Sequence, residues 1–243
     1  MKMLTFARRN FKEILRDPIN IFFGLGFPAV LLLLLSAIQS KIPVDLFVIE
    51  KLAPGVAVFG FSFITLFCAT LISKDRESSF LQRLYTTPLS ASDYILGFAL
   101  PFIPLSVMQT GVCFLISFFL KLKISVNILY ALLSVIPISL FYIFLGIFCG
   151  SILGVKQVGG ICGALLTNLS AWLSGIWFDL ELVGGVFKKI AVCLPFYHIV
   201  ELEKNIVSHS LENTATHILI ISLYTLAVGL LAVICFVKQI KRT

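Results

Sequence analysis

Few side chains in this sequence are spaced for catalysis. A serine hydrolase needs a serine beside a histidine, and Ser174 with His217 is the pair that facing helices could bring together. No G-x-S-x-G motif surrounds that serine, so the pair lacks the usual setting of a nucleophile. Residues 184–189 carry two glycines and two lysines, but they lack the spacing and the following Ser or Thr of an ATP-binding phosphate loop. We therefore predict no catalytic residues and no ATP hydrolysis by this chain.

Metal-binding patterns are also missing from the sequence. His198, His209 and His217 are too irregularly spaced for an H-E-x-x-H site. No two of the six cysteines form a C-x-x-C motif, and most lie in apolar runs, where a thiol behaves as a small hydrophobic group. We expect no metal site and no disulfide framework. No charged residue lies deep within an apolar run, so an ion-coupled carrier would lack its buried carboxylate.

The composition is that of a chain that folds in lipid. Of its 243 residues, 59% are hydrophobic and only 13% are charged, and the mean hydropathy is +1.04. A soluble domain carries roughly 25% charged residues. The net charge of +7 is dispersed among the ends of apolar runs, which does not favour a nucleic-acid partner. The composition therefore indicates a membrane protein with lipid as its surroundings.

Six apolar runs are long enough to cross a bilayer. A hydrocarbon core about 30 Å thick needs roughly 20 apolar residues in a helix, whose backbone groups are satisfied internally. The sequence thus predicts an all-α, polytopic protein with transmembrane helices at residues 19–40, 52–73, 94–120, 126–155, 157–178 and 216–237. The first run exceeds the length of a cleaved signal peptide, and no A-x-A-like site follows it, so we expect it to be retained.

The basic residues orient these helices. With both termini in the cytoplasm, 12 of the 19 Lys and Arg residues lie on the inner side, and every arginine is among them. Cytoplasmic loops carry such an excess. We expect a multi-pass protein of the cell membrane with both termini inside. Residues 1–18 then form an interfacial helix, in which Leu4, Ala7, Phe11 and Ile14 recur at helical spacing among basic residues. An ordinary basic flank that fixes the topology of the first span is the alternative.

The inner loop of residues 74–93 contains a short helix of its own. Ser79 and Gln82 fit a capping box that starts this helix at Phe80, and Pro88 ends it, because the residue before a proline disfavours helix. A helix of this length is marginal in water. Its apolar side chains therefore predict a docking partner, although the helix could instead fold back on the membrane surface. These side chains are Phe80, Leu81, Leu84 and Tyr85.

The outer segment of residues 179–215 is apolar but interrupted. Gly184, Gly185 and Pro195 make it a poor spanning helix, so we expect a re-entrant or outer-surface pair of helices with the break at Pro195. A seventh span is the alternative, but it would place the basic C-terminus outside.

Five glycines predict close packing of helices. Small residues spaced by four let helix backbones approach each other in lipid, within one chain or between two. The glycines are Gly146, Gly150, Gly154, Gly159 and Gly163.

The loop after the second predicted span resembles the signature of the type-2 ATP-binding-cassette (ABC) exporter permeases. In that family an acidic and basic stretch precedes a Leu-rich, Arg-containing helix that ends in Thr-Pro-Leu-Ser. The matching residues here are Arg76, Glu77, Leu81, Arg83, Leu84, Thr87, Pro88, Leu89 and Ser90. Ser78 and Ser79 replace the usual Gly-Thr. The likeness extends to Arg16-Asp17-Pro18 before the first span and to the stretch before the last span, which contains Pro195, Tyr197, His198 and Glu201.

The resemblance implies a permease subunit that pairs with a second permease, identical or related, and with separate ATPase subunits that bind ATP and Mg²⁺. Residues 80–85 would be the coupling helix that inserts into the ATPase, and the outer segment would restrict the exit. The implied coupling residues are Arg76, Glu77, Phe80, Leu81, Arg83, Leu84, Tyr85 and Pro88. The cargo would be a drug, lipid, peptide or glycan. An ATP-independent channel and a non-transporting membrane assembly protein are the rivals, and neither explains a capped apolar helix in an inner loop.

Overall fold

The computed structural model describes residues 2–43, 46–78, 80–81, 89–178, 180–210 and 213–242, with side chains up to residue 239. Within these ranges every regular element is helical, which confirms the all-α prediction. The helices are α1 (Lys2–Arg16), α2 (Pro18–Ile21), π1 (Phe22–Gly26), α3 (Phe27–Gln39), α4 (Ile49–Glu77), α5 (Ala91–Ala99), α6 (Phe102–Phe119), α7 (Val126–Ile152), α8 (Val155–Val158), π2 (Gly159–Leu166), α9 (Thr167–Leu173), α10 (Leu180–Val183), α11 (Gly185–Cys193), α12 (Pro195–Ser208) and α13 (Thr214–Arg242).

In the described part of the chain, five helical segments are long and apolar enough to cross a membrane. They are Pro18–Gln39, Ile49–Glu77, Ala91–Phe119, Val126–Ile152 and Thr214–Gln239. These correspond to five of the six predicted spans, although the second continues through Glu77 and so includes the start of the predicted loop. The chain around the predicted span 157–178 is helical as α8, π2 and α9. Lys156, Gln157 and Asn168 make it more polar, and the six-span layout stays a prediction.

Helix α1 is amphipathic, but its buried face differs from the predicted one. Phe6, Ala7, Asn10 and Ile14 are buried, whereas Leu4 is exposed. The reason is that α1 docks against α5. The Phe6 ring packs edge-on against the rings of Tyr94 and Phe98, at centroid distances of 5.8 and 4.9 Å. Its placement along a membrane interface stays a prediction.

Helix α4 lies at the centre of the bundle. Nearly every side chain from Leu52 to Ile72 is buried, because α7 packs along it and α6, α12 and α3 cover its other sides. The outer helices differ, since α3 and α13 expose leucines along one side, as a lipid-facing helix does. In α13 the exposed leucines are Leu219, Leu223, Leu226, Leu230 and Leu231.

The chain between residues 180 and 208 forms three short helices, α10, α11 and α12, and none of them is long enough to cross a bilayer. An extended residue, Leu194, separates α11 from α12, and Pro195 takes the first position of α12. Proline is well tolerated there because the first N–H of a helix has no partner within it. The re-entrant placement of this segment stays a prediction.

Candidate functional site

The C-terminal end of α4 joins α1 through a partly buried ion pair. Arg9 Nη1 and Nη2 donate to Asp75 Oδ2 and Oδ1 at 2.5 and 2.9 Å. The carboxylate is 4% exposed, and a buried charge is tolerable only when it is paired and hydrogen-bonded. The two-pronged geometry also fixes the angle between the guanidinium and the carboxylate. The pair therefore holds α1 in one position against α4.

Arg9 also contacts the loop that follows α4. Its guanidinium carbon lies 4.4 Å from the centre of the Phe80 ring, a cation–π geometry worth about 0.5–2 kcal/mol. The neighbouring Asn10 accepts from Arg9 Nη1 at 2.9 Å and donates to Gly97 O, in α5, at 3.0 Å. Arg9 thus connects α1 with α4 and the loop, and Asn10 connects α1 with α5.

The predicted coupling helix is described only in part. Phe80 and Leu81 are helical; the first is half-buried beneath Arg9 and the second is 2% exposed in the hydrophobic core. Both side chains therefore contact the chain itself in this structure. The remaining predicted residues of the loop lie outside the described part of the chain, so their contacts stay predictions. They are Ser79, Gln82, Arg83, Leu84, Tyr85, Thr87 and Pro88.

Arg76 and Glu77 bind the turn between α7 and α8. The guanidinium donates to Ser151 O and, at 2.5 Å, to Leu153 O, carbonyls at the end of α7 that have no partner within the helix. Glu77 Oε1 accepts from Val155 N at 2.8 Å, at the start of α8. The sequence suggested only contacts with an ATPase for these two residues. In the structure they cap the ends of two helices.

Two of the five predicted packing glycines lie directly against α4. A Cβ on Gly146 would come within 2.8 Å of Thr65 O, and one on Gly150 within 2.8 Å of Ala69 O, so α4 and α7 approach closely within one chain. Gly163 makes only ordinary contacts, at 3.5 Å, and Gly159 has no neighbour within 4 Å. Gly159 therefore makes no close helix contact within this chain, and its packing against a second chain stays a prediction.

Gly154 has a different setting from the packing glycines of α7. It lies in the turn after α7, and a Cβ there would lie 3.1 Å from Glu77 Oε1. The absent side chain leaves room for the carboxylate that binds the turn.

The residues predicted in the outer segment meet the last span. His198 Nδ1 lies 2.8 Å from His217 Nδ1, and His198 Nε2 lies 2.8 Å from Val192 O. Since a carbonyl can only accept, Nε2 of His198 carries a proton. Glu201 forms an ion pair with Lys204 at 2.9 Å. Pro195 and Tyr197 lie on the same helix, α12, where the Tyr197 ring stacks edge-on against both histidines.

The serine and histidine considered for catalysis are not brought together. Ser174 Oγ donates to Ala171 O within its own helix end, while His217 pairs with His198. Among the described residues no group of three or more His, Cys, Asp or Glu side chains is arranged to hold a metal ion.

A buried carboxylic acid in α12 was not anticipated from the sequence. Glu203 is 2% exposed, and its Oε1 accepts from Ser134 Oγ, in α7, at 2.5 Å. Burial raises the pKa of Glu203 to about 8, and the hydrogen bond from Ser134 lowers it only in part. The side chain is therefore largely protonated at neutral pH. Glu203 lies between Leu202 and Lys204, close to a second acidic residue, Glu201, so no periodicity marked it as buried.

Known proteins resemble this chain along most of its length. A family model described as "ABC-2 type transporter" matches residues 1–205, a range that includes α1, α4 and the whole loop 74–93. A curated protein of Cyanophora paradoxa, named "Putative transport permease ycf38", is 24% identical over 245 residues. That alignment covers 94% of this chain and 81% of the relative.

Proposed function

Because the chain belongs to the ABC-2 type transporter family, we propose that it is the permease subunit of an ATP-driven exporter in the cell membrane. A separate ATPase subunit binds ATP and Mg²⁺, and a second permease, identical or related, completes the pathway between the two chains. The observation that carries the proposal is the family match over residues 1–205, which includes the loop after α4 and the residues that anchor it.

The anchored end of α4 supports a coupling role for the loop. Arg9 contacts Phe80, so a displacement of the loop there is transmitted to α1. The ion pair between Arg9 and Asp75 transmits it to α4. Arg76 and Glu77 connect the same helix end to the turn after α7. Hydrogen bonds to charged groups are worth about 1.5–3 kcal/mol each, so we expect these inner segments to move as one body.

The length of α4 carries this movement across the membrane. Its 29 residues span about 40 Å at 1.5 Å per residue, from the inner loop to the opposite end of the bundle. In the proposed topology both termini are cytoplasmic, and α8, π2 and α9 together form the sixth crossing. Tilting of α4 would then shift α7 and the outer helices packed on it. The cargo class is an amphiphilic drug, lipid, peptide or glycan, as the family plan implies.

Co-purification separates this function from its rivals. The tagged chain is co-expressed with an ABC ATPase, extracted in mild detergent, and assayed for the bound ATPase and for stimulated ATP hydrolysis. A channel or an assembly protein binds no ATPase, so failure of the unmodified chain to retain any ABC ATPase would overturn the proposal.

The coupling role of the loop is tested separately by Leu84→Asp. We expect an inserted and folded protein that has lost ATPase binding, because a carboxylate in an apolar cleft has no partner. Ile124→Asp, at an 83% exposed position at the far end of α6 and α7, is the matched control and should bind normally. Wild-type ATPase binding by Leu84→Asp would remove the coupling role without touching the family assignment.

A further inference from the structure

The end of the bundle opposite α1 contains a cavity of about 670 Å³. Its walls are the start of α4 with the residues before it (46–52), the chain after α9 (175–178 and 180–182), and parts of α11 and α12. Sites for small molecules have volumes of roughly 300–1,000 Å³. All three walls of this α4–α12 cavity belong to this chain.

Among the described residues, six charged side chains line the cavity, three of them acidic and three basic. The acidic residues are Glu50, Glu181 and Glu201, and the basic residues are Lys51, Lys188 and Lys204. A ligand with a net charge gains little from such a lining, because attraction to one set is offset by repulsion from the other. A ligand that carries one positive and one negative group can satisfy both sets at once.

The charged groups are arranged for exchange with a ligand. Lys204 Nζ donates to Glu201 Oε1 at 2.9 Å and to Gly175 O at 3.3 Å. Lys188 pairs with Glu181, whose side chain is 70% exposed. An exposed pair such as Lys188–Glu181 is worth about 0–1 kcal/mol, so a ligand group displaces it at little cost. Glu50 and Lys51, at the start of α4, have no ion pair within the described ranges.

The floor of the cavity is apolar. Leu52, Ile176 and Leu180 are buried there, and the rings of Phe178 and Tyr197 add aromatic surface. Each CH₂ group that leaves water for such a surface gains about 0.8 kcal/mol. The site thus combines a balanced set of charges with a place for a short apolar tail.

We propose that the α4–α12 cavity binds a zwitterionic amphiphile, with an ammonium group and a phosphate or carboxylate group joined to an alkyl chain. The carboxylates of the lining bind the ammonium group, the lysines bind the anion, and the floor covers the first part of the tail. The proposal does not depend on ATP-driven transport. Such a ligand comes either from the surrounding lipid or from a cargo molecule that reaches the site from water.

Trp177 provides a local reporter of binding. It lies in the sequence between Ile176 and Phe178, which both line the cavity. Its ring centroid is 5.7 Å from that of Phe59. The chain has two tryptophans, and Trp172 is 57% exposed, so Trp172→Phe leaves a single indole at little structural cost. This variant, in a nonionic detergent, is titrated with dihexanoyl-phosphocholine below its micelle-forming concentration. We expect a saturable change in the emission of Trp177.

Neighbouring lysines of α11 give a matched pair of variants. Lys188 lines the cavity, whereas Lys189 is exposed and does not. In the single-indole background Lys188→Gln should raise the Kd for the phosphocholine about tenfold, the loss of one charge-assisted contact, and Lys189→Gln should not change it. Lys51→Gln is a second cavity variant, and its expected effect is also about tenfold. Equal effects of all three substitutions, or an unsaturable titration, would contradict the proposal.

Further probes test the net charge of the ligand and whether it enters from the bilayer or from water. Dihexanoyl-phosphatidylglycerol, which is anionic, and hexyltrimethylammonium, which is cationic, should bind at least about tenfold more weakly than the zwitterion. Comparable affinity for either would overturn the assignment of ligand class. In nanodiscs, phosphatidylcholine should compete with the probe and phosphatidylglycerol should not, if the ligand enters from the bilayer. Equal probe affinity in both nanodiscs identifies a ligand that arrives from water.

Discussion

Arg9 and Asp75 lie 66 positions apart in the sequence and share two hydrogen bonds at the C-terminal end of α4. The N-terminal helix is therefore not a separate basic flank of the first span. It is fastened to the most buried helix of the bundle, and the same guanidinium covers Phe80. This contact gives α1 a mechanical connection to the loop that the family plan assigns to ATPase binding.

Arg9→Gln should destabilise the fold and weaken coupling. It leaves the buried Asp75 without its counter-charge, at a cost of about 2 kcal/mol, which we expect to lower the melting temperature in detergent by several degrees. Arg8→Gln is the matched control, because Arg8 is exposed and has no partner among the described residues. The double variant Arg9→Gln with Asp75→Asn should lose less stability than the sum of the losses in the two single variants. Additive losses would mean that the two residues act independently.

Gly150→Leu should prevent correct assembly of the bundle. Its Cβ alone would lie 2.8 Å from Ala69 O and 3.0 Å from Ala69 Cα, and these backbone atoms cannot move aside singly. Gly159→Leu introduces the same side chain where no atom lies within 4 Å, so it should express and elute as the wild type does. The measurement is size-exclusion chromatography of detergent extracts. A well-folded Gly150→Leu protein would show that α4 and α7 need not be in close contact.

Glu203 should make stability depend on pH. Its folded pKa of about 8 lies above the ordinary value of 4.5, so between these values the folded protein keeps a proton that the unfolded chain has lost. Stability then falls as the pH rises from about 4.5 to 8, by about 1.4 kcal/mol per pH unit, and levels off above that.

Thermal unfolding across this pH range checks the Glu203 prediction. Glu203→Gln keeps a neutral side chain at all of these pH values. Its stability should therefore not fall as the pH rises through this range. Glu181→Gln, an exposed carboxylate, should leave the profile unchanged. If Glu203→Gln reproduces the wild-type slope, the carboxyl group is ionised in the folded state.

The proposed topology predicts which positions are reached from outside. Single cysteines at Lys41 and Asn205 should react with an impermeant maleimide added to intact cells, whereas one at Gln82 should react only after lysis. The six native cysteines are first replaced by serine or alanine, four of them being buried. Labelling of the Gln82 position in intact cells would reverse the orientation of the whole chain.

Five of the six spans were predictable because length and hydropathy alone decide whether a helix suits a bilayer. The family resemblance was predictable because the loop 74–93 is a continuous stretch of sequence. Other features depend on distant parts of the chain. The pairing of Arg9 with Asp75, and the capping of residues 151–155 by Arg76 and Glu77, require helices that meet only in the folded bundle.

The face of α1 shows the same limit of periodicity. Leu4 fits the apolar spacing as well as Phe6 does, and only the rings of α5 determine that Phe6 is buried. The glycines show the same limit. The sequence pattern predicted close packing for both Gly150 and Gly159, but only Gly150 lies against a neighbouring helix.

The burial of α4 has a consequence for biosynthesis. Its main neighbour, α7, is made much later: Thr65 donates its hydroxyl to Tyr142 O, 77 residues further along the chain. At about 5–20 residues per second, the ribosome needs roughly 4–15 s to cover that distance. During this interval the small and hydroxyl-bearing side of α4 lacks the helix that later covers it. The nascent chain is therefore most open to chaperones and membrane proteases in this interval, before the centre of the bundle closes.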